Sequence, residues 1–381
     1  MSGQLFGYGS LPKAAPEQLP LLLPGVRNCV KNLMDVQQGE RFLIIAENTV
    51  DPVVVQAFEV VASEIGADVS SLRCKPFSPA GIDPDNPSDV VVQAYSAADS
   101  VVIMSWYPDI HSRKLPGHAC QIYNNKPVSM YGMATFDMLT SPAARFPLPI
   151  MYQLIRRTRL AALGAQVRIT NDLGTDLVVQ APSDPNHLFG GIGAGLDVGP
   201  LKKGVRAHFP PSTMGFVPVD ANGVFVPNET IVTGAHSSPI KVTVEGGYIT
   251  NIEGEAEAEA LSAFINGPSV SPGPKRLVEC MWGLNPKARI GGANATMIEK
   301  ERRAGTLHLG IATYNMDLKS GWMSHVDCYL ENPKIWINGE LISENRRYLL
   351  LEDPEIRSLA KEFGDPDEIL RPGQPMDLVT C

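Results

Sequence analysis

Three apolar, β-prone runs follow one another between Arg276 and Glu340, and each carries ionisable side chains in its interior. They read RLVECMWGLNPKARIGG, GTLHLGIATYN and GWMSHVDCYLENPKIWINGE, with Glu279 in the first, His308 in the second, and His325 and Asp327 in the third. A charge inside an apolar strand must be paired, hydrogen bonded or bound to a cation, because uncompensated burial is expensive. In an extended chain, residues i and i+2 project from the same face, so His325 and Asp327 can converge on one ion. Two imidazoles with one or two carboxylates suit Mn, Fe, Co, Ni or Zn better than Ca or Mg, and they leave coordination positions for water or substrate. The competing reading of the third run alone is a hydrogen-bonded core histidine in a chance H-x-D. Glu279 and His308 in the neighbouring runs add weight to a single metal site assembled on adjacent strands.

The rest of the chain sets the frame for that site. With 381 residues, two domains are the natural division. Hydrophobic residues at 44% and charged residues at 19% describe a globular protein with a substantial core. A net charge of −9 and no basic stripe argue against nucleic acid or an anionic membrane as partner, and leave a small molecule. The six cysteines, at 29, 74, 120, 280, 328 and 381, form no C-x-x-C pair or clustered framework, as expected of reduced thiols in the cytoplasm. Cys280 and Cys328 adjoin proposed ligands but point to the opposite strand face, so they read as packing residues. LPLLLPG near the N-terminus is too short to be a signal segment, and no apolar run approaches membrane-spanning length.

Strands and helices alternate over the first part of the chain. Pro20 and Pro24 confine the regular part of a first helix to VRNCVKNLMDV, and RFLIIA reads as a buried strand. PVVVQAFEVVASEIGA follows with Asp51 as N-cap and Gly66 at its end. DVSSLRC, SVVIMSW and PVSMYG are further strands, SDVVVQAYSAAD a helix, and LPIMYQLIRRTRLAALG a closing helix. This alternation predicts an open α/β (Rossmann-like) sheet domain over residues 1–164, although no G-x-G-x-x-G supports a dinucleotide role. Beyond it, hairpin signals in QVRITNDLGTDLVVQAP and KVTVEGGYITNI predict a β-rich metal-binding domain over 165–381. The glutamates of EGEAEAEALSAFING read as solvated charges on a short helix. His111 and His118, in the loop after SVVIMSW, are candidates for substrate contact from the first domain.

Taken in order, GYITNIEGEAEAEALSAFI, ECMWGLNPKA, GTLHLG and HVD resemble the C-terminal half of the aminopeptidase T family. That resemblance implies a divalent metal held by Glu279, His308, His325 and Asp327, and a homo-oligomer. The glutamate of the peptidases' upstream G-E motif has no counterpart near PPSTMGFVPVD, which implies one metal instead of two. Two non-peptidase branches are similar: the 2,5-dihydroxypyridine 5,6-dioxygenases, whose H-x-G-W-G-L-x-P-x-A stretch carries His where this chain has Glu279, and enzymes of the 5-nitroanthranilic acid aminohydrolase type.

Non-haem iron dioxygenases commonly use two His and one carboxylate. A second carboxylate leaves fewer open positions and favours activation of water, so the expected reaction is replacement of an aromatic amine by hydroxyl, with ring-cleaving oxygenation or an aminopeptidase-like hydrolysis as alternatives. One Mn, Fe, Co or Zn ion is the expected cofactor and a small aromatic the expected substrate. Asn285 and Arg289 are candidate donors to an electron-withdrawing ring substituent, with a salt bridge as the other reading of Arg289. Trp282 and Trp322 are candidate walls for the ring, with core packing as the other reading. Tyr314 lies one position from an active-site tyrosine of the peptidases and is a candidate proton donor.

Overall fold

A computed structural model describes residues 13–77, 87–106, 109, 114–115, 124–267, 273–289, 297–313 and 325–373. The chain divides into two compact units, Met1–Arg145 with Pro200–Pro210, and Phe146–Gly199 with Pro211–Cys381. The fold is mixed α/β, with a parallel sheet in the first unit and a large antiparallel sheet in the second.

In the first unit, β1 (Arg41–Glu47), β2 (Asp68–Cys74), β3 (Ser100–Met104) and β4 (Lys126–Ser129) form a parallel sheet. Its order is β2-β1-β3-β4, extended by the two-residue strand Ala207–His208. RFLIIA is apolar without alternation because helices cover both faces of a parallel sheet, and every residue of β1 after Arg41 is buried. The helix Pro52–Ile65 starts as its sequence dictates. Asp51 accepts a hydrogen bond from the Val53 amide, and Pro52 fills a position whose N–H needs no partner. It stops at Gly66, whose φ of 86° lies in the left-handed region. Pro24 does not delay the first helix. A 3-10 turn over Pro16–Gln18 leads into an α-helix that runs from Leu19 through Pro24 to Arg27, continuing as a wider turn over Asn28–Leu33.

The boundary expected at residue 164 falls after Arg145, because the helix Leu148–Ala162 finds its partners in the second unit. Arg159, fully buried, donates to the carbonyls of Ile192, Gly193 and Gly195, and Thr158 hydrogen bonds the Tyr348 hydroxyl. Residues 200–210 return to the first unit and supply the fifth strand of its sheet.

All strand pairs of the second unit are antiparallel among the described residues. Gln166–Thr170 and Asp176–Gln180 form the first expected hairpin, and Lys241–Glu245 and Tyr248–Glu253 the second, with Gly246 and Gly247 at positive φ in its turn. The acidic helix Ala256–Ile265 buries only Ala258, Leu261 and Ile265, while Glu257 accepts hydrogen bonds from Ser237 and Ser238. The three ligand-bearing runs become neighbouring strands, Lys275–Gly283, Leu307–Thr313 and Val326–Leu330. One face of this ribbon is core: Cys280, Leu309 and Cys328 lie side by side, next to Trp282, Leu307 and Leu330, and all six are fully buried. No helix of the described residues is long and apolar enough to cross a membrane.

Ile44 sits on β1 between two paired strands and is fully buried. Ile44→Ala should cost about 2–5 kcal/mol of stability, read from the shift of the urea unfolding midpoint; a loss under about 1 kcal/mol would show that this sheet is not the core of its unit.

Candidate metal centre

The other face of the ribbon carries the chemistry. Register places Glu279 opposite Gly310 and Gly310 opposite Asp327, while the next row holds Met281, His308 and Tyr329. Directly paired residues of antiparallel strands point to the same side, so Glu279 and Asp327 flank the space above Gly310, with His308 beside them. His325, two residues before Asp327, joins them from the end of the third strand. His325 Nε2 lies 2.7 Å from Glu279 Oε2 and 3.0 Å from Asp327 Oδ1. One ligand atom from each of Glu279, His325 and Asp327 falls within 4.8 Å of the others. His308 Nε2 approaches the same Glu279 oxygen at 4.0 Å.

Gly310 makes the convergence possible. A Cβ there would lie 2.8 Å from the Glu279 Cβ, 3.1 Å from His325 Cδ2 and 3.3 Å from Glu279 Oε2. The glycine thus leaves a cradle, bounded by carboxylate and imidazole, that any larger residue would fill.

These groups fit a divalent metal. Two atoms each about 2.1 Å from one ion are about 3 Å apart when adjacent in an octahedron and about 4.2 Å apart when opposite. The observed separations of 2.7, 3.0 and 4.0 Å lie on that scale. Glu279 and His308 are nearly excluded from solvent. The electrostatics agree. Burial pushes the His308 imidazole below the usual histidine range, which keeps it neutral with a lone pair to offer. For His325, burial opposes the charge, but the Asp327 and Glu279 carboxylates outweigh it and hold the imidazole well above its ordinary value.

A third carboxylate of the cluster is not legible in the sequence. Glu301, from the run KERRAG, is buried, with its Oε2 3.8 Å from His308 Nδ1. Burial, reinforced by the charge of Asp327, raises its carboxyl well above the ordinary range. A charged run between strands reads as a solvated turn, yet Glu299, Glu301, Arg302 and Arg303 are all buried. Gly283 explains this. Its missing Cβ would lie 2.2 Å from the Arg303 carbonyl oxygen and 2.5 Å from that of Glu301, so only glycine lets this turn lie against the strand end.

The other candidates fare differently. Trp282 faces the core, three residues and hence the opposite side from Glu279, and stacks edge-to-face on Phe216 at 5.7 Å; it is not a wall of the site. Arg289 forms a buried two-pronged ion pair with Glu299, at 2.6 and 2.7 Å, which commits its guanidinium to that carboxylate. The Asn285 side chain accepts from the Lys287 amide and donates to Ser212 Oγ, tying the loop after the first strand to residue 212. Tyr314, Trp322, His111 and His118 lie outside the described residues.

Two expectations follow from this geometry. Gly310→Ala should lower metal affinity at least tenfold in a chelator-competition titration, because the methyl occupies the cradle; unchanged affinity would place the metal elsewhere. Metal affinity should also rise with pH. Since the folded pKa of His325 is raised, its proton is retained at neutral pH and leaves as pH climbs, and a metal needs the lone pair that proton covers. Calorimetric titrations in buffers of different ionisation enthalpy should show protons released on binding, and proton uptake would contradict the assignment.

Comparison with known proteins places this geometry in context. Among solved structures the chain is similar to the 2,5-dihydroxypyridine dioxygenase of Pseudomonas putida KT2440, with 18% identity over 88% of this chain and 98% of that one, at a TM-score of 0.58. It is also similar to wild-type AmpT of Thermus thermophilus, with 13% identity over 87% of this chain and all of that one (100%), at a TM-score of 0.57. At these identities the likeness is one of fold. No curated protein matches the chain. A family model described as 2,5-dihydroxypyridine 5,6-dioxygenase matches residues 28–313, a span that holds most of the chain and includes Glu279, Glu301 and His308. The chain belongs to the 2,5-dihydroxypyridine 5,6-dioxygenase family.

Proposed function

We propose that this protein is a divalent-metal-dependent enzyme in which Glu279, His308, His325 and Asp327 hold one Mn, Fe, Co or Zn ion, and that it replaces an amine on a small aromatic ring by hydroxyl. The observation that carries the reading is the carboxylate content of the cluster. Glu279 and Asp327 both border the Gly310 cradle, and Glu301 lies behind His308. When bound, such a metal lowers the pKa of a coordinated water and polarises a chelating substituent of the substrate. The chain's own residues supply the rest. Glu279 and Asp327 offset the ion's charge, and neutral His308 supplies an uncharged ligand. The near-complete burial of Glu279, His308 and Asp327 keeps bulk water from competing. A metal held by these four side chains would keep coordination positions open for water or substrate.

A second reading, oxygen-dependent ring cleavage of a dihydroxypyridine, draws support from the family match over residues 28–313 and from the fold shared with the Pseudomonas putida enzyme. Glu279 separates the two, since the dioxygenase motif it resembles carries a histidine there. Metal-loaded protein should be incubated with an aminonitrobenzoate and with a dihydroxypyridine, each with and without oxygen. Ammonia release that is indifferent to oxygen is the expected result. Oxygen consumption matched one-to-one by ring opening of the dihydroxypyridine would overturn the hydrolytic reading in favour of the second.

A further inference from the structure

We infer that Glu301 is the positioning carboxylate of this centre, accepting the N–H of His308 Nδ1 and so fixing which ring nitrogen faces the metal; the inference rests on the metal reading of the cluster given above. The two nitrogens of His308 point at different acids. Nε2 faces Glu279 at 4.0 Å, on the side of the cradle, and Nδ1 faces Glu301 Oε2 at 3.8 Å, on the far side. Neither His308 Nδ1 nor Glu301 Oε1 has a hydrogen-bond partner among the described residues, and both side chains are nearly excluded from solvent. A ligating imidazole needs its second N–H satisfied by an acceptor, and a carboxylate is the acceptor that also strengthens the ligand. The 3.8 Å gap exceeds a hydrogen bond by less than 1 Å, a distance that a small rotation of the His308 ring closes.

The backbone around Glu301 is built to hold it there. Gly283 admits the 301–303 turn against the strand end. The Asn285 amide donates to the Arg302 carbonyl and the Ala304 amide to the Asn285 carbonyl, both at 3.0 Å. The Thr306 hydroxyl reaches the carbonyls of Lys300, Glu301 and Arg303. Arg303 Nη1 donates to the Ala288 carbonyl at 2.8 Å. A turn tied at so many points delivers a carboxylate to one place, as orienting a metal ligand requires.

Zn²⁺ or Mn²⁺ dissociation constants, from competition with a chromophoric chelator, test this in the wild type, E301Q, E301A, H308A and E301A/H308A. E301A should weaken binding about 10- to 100-fold, the range typical of lost partners of this kind. E301Q should lose less, because its amide oxygen still accepts from Nδ1. On the H308A background the E301A change should cost nothing further, since the carboxylate acts through the imidazole. Thermal melting of metal-free E301A should match or exceed the wild type, which separates positioning from a role in folding. Full affinity in E301A, or an equal loss with and without His308, would overturn the assignment, the latter because it makes Glu301 a direct ligand. A wild type that binds neither metal would overturn the metal reading itself, and this inference with it.

Discussion

Antiparallel register across three consecutive strands is the constraint on which the site depends. Because Glu279, Gly310 and Asp327 are directly paired, they form a row across the sheet, with a glycine between two acids. A one-residue slip of either pairing would send the acids into the core and turn Trp282 or Cys328 outward. The core face guards against that slip, since Cys280, Trp282, Leu307, Leu309, Cys328 and Leu330 are all fully buried on the other side. Packing on one face thus fixes chemistry on the other. The bulge between Leu277 and Glu279 sets the phase in which this row begins.

The same row carries an electrostatic cost. Glu279, Glu301 and Asp327 are buried within reach of one another, and desolvating each charged group costs several kcal/mol. The Asp327 and Glu279 carboxylates hold the His325 imidazole well above its ordinary value, and burial raises the Glu301 carboxyl. A structural ion-pair network is arranged otherwise, as Arg289 and Glu299 show with two short parallel contacts that cancel the charge in place.

Much of this was legible in the sequence, for identifiable reasons. The parallel sheet announced itself through uninterrupted apolar runs such as RFLIIA, and the helix ends through Asp51, Pro52 and Gly66, whose effects are local. His325 and Asp327 could be paired from spacing alone, because i and i+2 share a face in any strand. Glu301 could not, because its burial depends on a close approach permitted by a glycine eighteen positions earlier, at Gly283. Gly310 was hidden for the same reason, as a glycine in a strand gives no sign of what would occupy its missing Cβ. Strand parity sends Trp282 away from Glu279, and the Asn285 side chain hydrogen bonds both Lys287 and the distant Ser212. Nothing close in sequence marks which unit the helix Leu148–Ala162 joins, because the partners of its buried Arg159 lie more than thirty residues on.

The most direct test of the central claim is an anomalous-scattering map from crystals grown with Mn²⁺ or Zn²⁺, with data collected on both sides of the metal's absorption edge. The account predicts one strong peak per chain above Gly310, bounded by Glu279, His308, His325 and Asp327. A fully loaded protein whose peak lies elsewhere, or a map with no peak between these four side chains, would contradict it.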